Sequence, residues 1–124
     1  MYSRELLDYF QNPRNAGEVE NADGSAQLEN PVCGDVLRLT LRLHEGRIAD
    51  IRFKARGCVP AMACGSALTT LARGKTPEEA RSLGKEQLEG LLGGLPEASQ
   101  HASQLAFDTL SAALDRVGGI GPDT

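Results

Sequence analysis

The sequence predicts an α+β domain, a short antiparallel β-sheet with one wet face and helices packed on the other. Between Val36 and Arg56 two stretches alternate apolar and polar residues and are joined by a short polar turn, the pattern of half-buried strands in a hairpin. On both sides of that hairpin, apolar residues recur at helical spacing. The length, 124 residues, fits a single domain spanning 1–124 and leaves little room for a second core.

In chain order, Leu6, Leu7 and Phe10 give the apolar side of a helix from Ser3 to Phe10, with Ser3 placed as its N-cap. Pro13 ends it. Residues Asn15 to Asp23 are polar and acidic, contain Gly17 and read as a loop. Ser25 to Glu29 suits a short strand before Pro31, on a pattern that does not establish one alone. Leu37, Leu39, Leu41 and Leu43 then alternate with Arg38, Thr40 and Arg42. After the turn His44-Glu45-Gly46, Ala49, Ile51, Phe53 and Ala55 alternate with Asp50, Arg52, Lys54 and Arg56. Ile48 stands off this parity, as a bulge or an exposed strand end would make it.

The small apolar residues from Pro60 to Ala72 predict a largely buried helix, with Pro in the first turn, where its missing N–H costs nothing. Thr76, followed by Pro77, Glu78 and Glu79, reads as a cap with acids in the first turn of a short helix to about Leu83. A second short helix covers Lys85 to Leu92. After the loop Gly93-Gly94-Leu95-Pro96, the last helix carries the stripe Ala102, Leu105, Ala106, Leu110, Ala113, Leu114 and Val117. Residues 118–124 read as a frayed tail.

Composition narrows the function classes. Hydrophobic residues at 40% and charged residues at 24% suit a folded chain rather than a disordered one. Without Trp and with 4% aromatics, the core has to come from Leu, Ala, Val and Ile. A net charge of −4 has the wrong sign for nucleic acid held through its phosphates. The N-terminal residues lack a continuous apolar stretch of the signal-peptide kind. The longest charge-free run, Gly57 to Ala72, has 16 residues, short of the roughly 20 that span a bilayer. A cytoplasmic protein without membrane contact is expected. There, three cysteines, an odd set, point to metal or thiol chemistry rather than a disulfide framework. No Gly-rich phosphate loop and no G-x-S-x-G elbow is present.

The hairpin itself gathers the candidate chemistry. Cys33, Gly34 and Asp35 enter the first strand and Cys58 leaves the second, so antiparallel pairing brings all of them to one end of the sheet. Cys58 precedes a helix N-terminus and follows Arg56, two influences that favour a thiolate. His101 reaches the same end only if the last helix packs across the sheet. Blander readings stand beside these: Cys as a small core residue, His44 as a solvated turn residue, His101 as an ordinary helix-start residue and Asp35 as a turn residue.

Four blocks carry a resemblance. Tyr2-Ser3 with Asn12-Pro13-Arg14-Asn15-Ala16-Gly17, then Asn30-Pro31-Val32-Cys33-Gly34-Asp35, then Phe53-Lys54-Ala55-Arg56-Gly57-Cys58, and Gly93-Gly94-Leu95-Pro96 with His101 resemble, in order and spacing, the IscU/NifU N-terminal family of iron-sulfur cluster scaffolds. The resemblance runs from about Tyr2 to Val117, without the C-terminal Cys-x-x-Cys domain of longer NifU proteins. It implies a nascent [2Fe-2S] cluster or iron held transiently, with zinc in its absence, at Cys33, Asp35, Cys58 and His101. It also implies a cysteine desulfurase and cluster-recipient proteins as partners, and a scaffold rather than an enzyme.

Two departures qualify what is carried over. The family's third Cys directly follows its His, where this chain has Ala102; that Cys is associated with accepting sulfur. The family's Leu-Pro-Pro-x-Lys stretch, associated with an Hsp70-type chaperone, is interrupted by Glu97 and Ser99, which argues against chaperone-assisted transfer. Cys64, where the family usually has Ser, reads first as a core residue and second as a substitute ligand. The alternative from another class is a zinc-stabilised interaction or regulatory protein that has lost cluster assembly. A cysteine-nucleophile enzyme using Cys58 and His101 lacks any orienting third group in the sequence.

Overall fold

The computed structural model describes residues 2–31 and 33–117; the expected frayed tail at 118–124 lies outside them. The first helix, α1 (Arg4–Gln11), is capped as its sequence predicts, with Leu6 N–H donating to Ser3 Oγ at 2.9 Å. The same hydroxyl donates to the Leu92 carbonyl, tying the chain start to a loop far along the sequence. Leu6 is fully buried.

Three antiparallel strands follow, β1 (Gly24–Glu29), β2 (Val36–His44) and β3 (Arg47–Arg56), in the spatial order β1-β2-β3. The weakly signalled first strand is therefore present, completed by Gly24. Leu37, Leu39, Leu41, Ile51 and Phe53 turn to the helices and are buried. Ile48 is also fully buried, because the register shifts between Arg42 and Leu43: Leu43 pairs with Ile48 and Arg42 with Asp50. Ala49 is the extra residue and is exposed, not a core residue as the alternation suggested. One inserted residue lets both isoleucines face inward.

The loop between α1 and β1 is not free. Phe53 N–H donates to the Asn15 carbonyl and Gly17 N–H to the Phe53 carbonyl, at 2.9 and 2.8 Å, which closes off the outer edge of β3. Val19 N–H donates to Thr40 Oγ1 at 2.9 Å, so Thr40 is buried on the face that alternation assigns to solvent. Further back, Arg14 N–H donates to Ser66 Oγ at 2.8 Å and fastens the loop to a helix.

That helix, α2 (Val59–Ala72), sits at the centre, packed against the sheet and α1. Small residues allow this. A side chain at Gly65 would place its Cβ 2.9 Å from Phe53 Cδ2 and 3.1 Å from Leu37 Cδ1, closer than packed carbons approach. Two short helices follow, α3 (Pro77–Arg81) and α4 (Lys85–Leu91). Thr76 and Glu79 form the reciprocal cap that opens α3, which ends at Arg81 rather than near Leu83. After a 3-10 turn (Glu97–Ser99), α5 (Gln100–Asp115) packs across β1, β2 and α2 on the same face of the sheet. Among the described residues, no helix is long and apolar enough to cross a membrane.

Candidate metal centre

Cys33 and Asp35, at the entry to β2, form the first wall of a cleft at one end of the sheet, and the turn from Asn30 sets their place. Asn30 organises them: its N–H donates to the Asp35 carbonyl at 2.8 Å, its own carbonyl accepts from Gly34 N–H at 2.7 Å, and its Oδ1 accepts from Cys33 N–H at 3.4 Å. Cys33 is left exposed while Asp35 is 3% exposed. Asn at this place in an Asn-Pro turn is a readable signal, although only the structure reveals that it sets the spacing of Cys33 and Asp35.

Asp35 is the hub. Its Oδ1 accepts from Cys58 N–H at 3.1 Å, and its Oδ2 lies 3.2 Å from Cys58 Sγ and 3.5 Å from His101 Nε2. Cys58 sits at the N-cap of α2 with no side-chain capping bond, so its thiol points to Asp35 instead. Because α5 crosses the sheet, His101 in its first turn reaches the same carboxyl group. One donor atom each from Cys33, Asp35 and His101 lie within 4.8 Å of one another, an arrangement compact enough to hold a metal ion. Cys58 joins them through Asp35. The four predicted residues thus line one open cleft of about 500 Å³ together with Tyr2 and Gly57.

Gly57 is the residue whose part in this geometry sequence reasoning missed. Its φ of +143° suits glycine, and a Cβ there would run into the Asp35 carboxyl group. The absence of a side chain lets Asp35 lie against the backbone at Gly57 and Cys58. A Gly directly before a candidate ligand at a strand end was the available signal.

The electrostatics correct one expectation. Burial, then the hydrogen bond and negative charge of Asp35, push the Cys58 thiol up; Ala61 N–H at the helix start pulls it down and is outweighed. A free thiolate is therefore disfavoured at Cys58 until a cation arrives. Cys64 is fully buried in the core and its thiol is pushed up to about 12, chiefly by burial. In the native protein at neutral pH, iodoacetamide is expected to modify exposed Cys33 readily and to spare Cys64. Peptide mapping after a brief exposure checks this; early modification of Cys64 contradicts its burial. His44 is exposed at the hairpin turn, its Nε2 3.8 Å from Glu45 Oε1.

Ala102 follows His101 but faces the other way, 1% exposed within the core. Consecutive helical residues point about 100° apart, so His101 enters the cleft and Ala102 does not line it.

Comparison with known proteins identifies the family. The family described as NifU-like N terminal domain matches residues 1–119. The chain is 45% identical over 114 residues to the iron-sulfur cluster assembly scaffold protein IscU 1 of Archaeoglobus fulgidus, covering 92% of this chain and 74% of that protein. It is 38% identical over 117 residues to the scaffold protein IscU of Escherichia coli K12, covering 91% of each. A NifU-like N-terminal structure from Brucella abortus shares the fold at a TM-score of 0.76 and 17% identity, covering 92% of both chains. A family match over nearly the whole chain, together with these identities, leads to a single assignment: the chain belongs to the NifU-like N-terminal domain family of IscU-type iron-sulfur cluster assembly scaffolds.

Proposed function

We propose that the chain is a scaffold on which a [2Fe-2S] cluster is built at Cys33, Asp35, Cys58 and His101 and from which it is handed on. The observation that carries this reading is the buried Asp35 carboxyl group, in contact with Cys58 and 3.5 Å from His101, with exposed Cys33 beside it. Soft thiolates suit iron, whereas a carboxylate oxygen is a poorer partner for an iron-sulfur unit, so Asp35 keeps the cargo releasable. The cluster is cargo, and the chain turns over no substrate. A cysteine desulfurase supplies the sulfur and apo-proteins receive the cluster, in the cytoplasm. In the absence of cluster, two sulfurs, one oxygen and one nitrogen complete a tetrahedral zinc site. The names of the relatives support the scaffold reading, and Glu97 and Ser99 in the 3-10 turn speak against help from an Hsp70-type chaperone.

Asp35→Ala separates the two cargoes. A reconstituted cluster is expected to live longer in the variant, followed as decay of visible absorbance, while zinc affinity falls in a chelator competition. Cys58 N–H loses its acceptor, so folding stability drops by about 1–3 kcal/mol. Faster cluster loss in the variant contradicts the labilising role.

A second reading, a zinc-stabilised interaction protein, is favoured by Ala102, which supplies no third thiolate and fills core space. Anaerobic reconstitution of wild type and Ala102→Cys with a cysteine desulfurase decides between the two. The scaffold reading expects a coloured wild type carrying iron and sulfide in equal amounts. Colourless wild type that retains only zinc supports the second, and because residue 102 faces the core, colour in Ala102→Cys additionally requires that its sulfur turn into the cleft. The added sulfur enters a packed site and costs about 1–3 kcal/mol, so thermal melts accompany the comparison.

A further inference from the structure

The outer face of the sheet is covered unevenly. The loop before β1 crosses it where Val19 N–H meets Thr40 Oγ1, and beyond that point the Glu18 side chain reaches over, 3.0 Å from Arg38 Nε and 3.5 Å from Lys54 Nζ. The rows nearest the cleft remain open. There the register aligns Gln27 with Arg38 and Lys54 across the three strands, and Glu29 with Val36 and Arg56 in the next row. Glu18, Gln27, Val36, Arg38, Lys54 and Arg56 line a shallow depression of about 440 Å³.

Its charge runs against that of the molecule: three cations and one carboxylate line the depression, in a chain of net charge −4. Arg56 makes no ion pair among the described residues. Val36, half-buried on this outward row, adds an apolar surface among the cations. An apolar centre with a charged rim is the anatomy of a protein interface, and rim cations set its partner's sign and its rate of encounter. A polyanionic nucleic acid would meet the repulsion of the whole chain as well as Glu18 and Glu29. Position adds a purpose, because Val36 directly follows Asp35 and Arg56 stands two residues before Cys58.

We infer that this depression docks an acidic protein surface beside the cleft, its carboxylates meeting Arg38, Lys54 and Arg56 and an apolar side chain covering Val36. Glu18 competes internally for two of those cations, which tunes the docking to be weak and releasable. The inference rests on the scaffold reading for the purpose of the docking alone.

Metal-free protein titrated with a fluorescein-labelled Glu-rich peptide tests it without any cluster, so failure of cluster assembly and failure of docking are read separately. Amide-resolved NMR shifts are expected at Gln27, Val36, Arg38, Lys54 and Arg56. The double reversal Lys54→Glu with Arg56→Glu should weaken binding by about tenfold or more and flatten its salt dependence. Glu18→Gln should tighten binding by about two- to fivefold through loss of the internal competitor. Arg4→Glu, on α1, should change nothing. The milder pair Lys54→Gln with Arg56→Gln, expected to weaken binding in the same direction, stands in if the reversal unfolds the chain. Shifts located elsewhere, equal weakening by Arg4→Glu, no effect of Glu18→Gln, or tighter binding of a single-stranded oligonucleotide of equal charge would each overturn the inference.

Discussion

Cys33→Ser and Cys58→Ser are each expected to abolish tight binding of zinc or ferrous iron. The donors converge on Asp35, with Cys58 Sγ at 3.2 Å from its Oδ2 and Cys33 in the group that lies within 4.8 Å. Serine keeps the size of the side chain and removes the soft donor. Loss of an outer-shell hydrogen bond already costs 10–100-fold in affinity, so loss of a ligand is expected to exceed about 100-fold on the same scale. Folding of the metal-free protein should change little for Cys33→Ser, since Cys33 is exposed. Elemental analysis after loading, with circular dichroism of the metal-free forms, reads both. Equal metal in wild type and Cys58→Ser would remove Cys58 from the site.

Gly57→Ala is expected to destroy the same site without touching a donor. The new Cβ collides with the Asp35 carboxyl group, and a φ of +143° is one that alanine resists. Backbone strain of this kind costs about 1–3 kcal/mol, and Asp35 must move away from Cys58 N–H to make room. The stability loss alone would not identify the cause. Gly46→Ala in the hairpin turn supplies the comparison, for Gly46 has a φ of +77° with no heavy atom within 4 Å of a Cβ built there. Gly46→Ala should lower the melting temperature and retain metal, whereas Gly57→Ala should lower both the melting temperature and metal affinity, the latter by more than about tenfold. Full metal affinity in Gly57→Ala would show that Asp35 need not lie against this backbone to form the site.

Much of the fold was legible in the residues. The alternation of Leu37, Leu39 and Leu41 against Arg38 and Arg42 marked a strand whose faces differ, and the caps at Ser3 and at Thr76 with Glu79 formed where the sequence places them. Local chemistry is written locally. Thr40 and Ala49 were misread because their surroundings come from elsewhere in the chain: a loop about twenty residues earlier covers Thr40, and the register of the opposite strand expels Ala49. Period alone cannot report a covering loop or an inserted residue.

The candidate centre divides along the same line. Antiparallel pairing of β2 and β3 follows from the sequence pattern, and it is sufficient to bring Cys33, Asp35 and Cys58 to one end of the sheet. The place of His101 was not determined by sequence, because the direction in which α5 crosses the sheet depends on the packing of small residues such as Gly24, where a Cβ would strike the Ala113 carbonyl. Nor was the direction in which Cys58 is shifted, for the helix start and Arg56 favour its thiolate whereas burial and Asp35 push the thiol up. Sequence spacing determines which groups a hairpin can bring together; desolvation and close approach depend on atoms distant along the chain, and only the tertiary structure decided them.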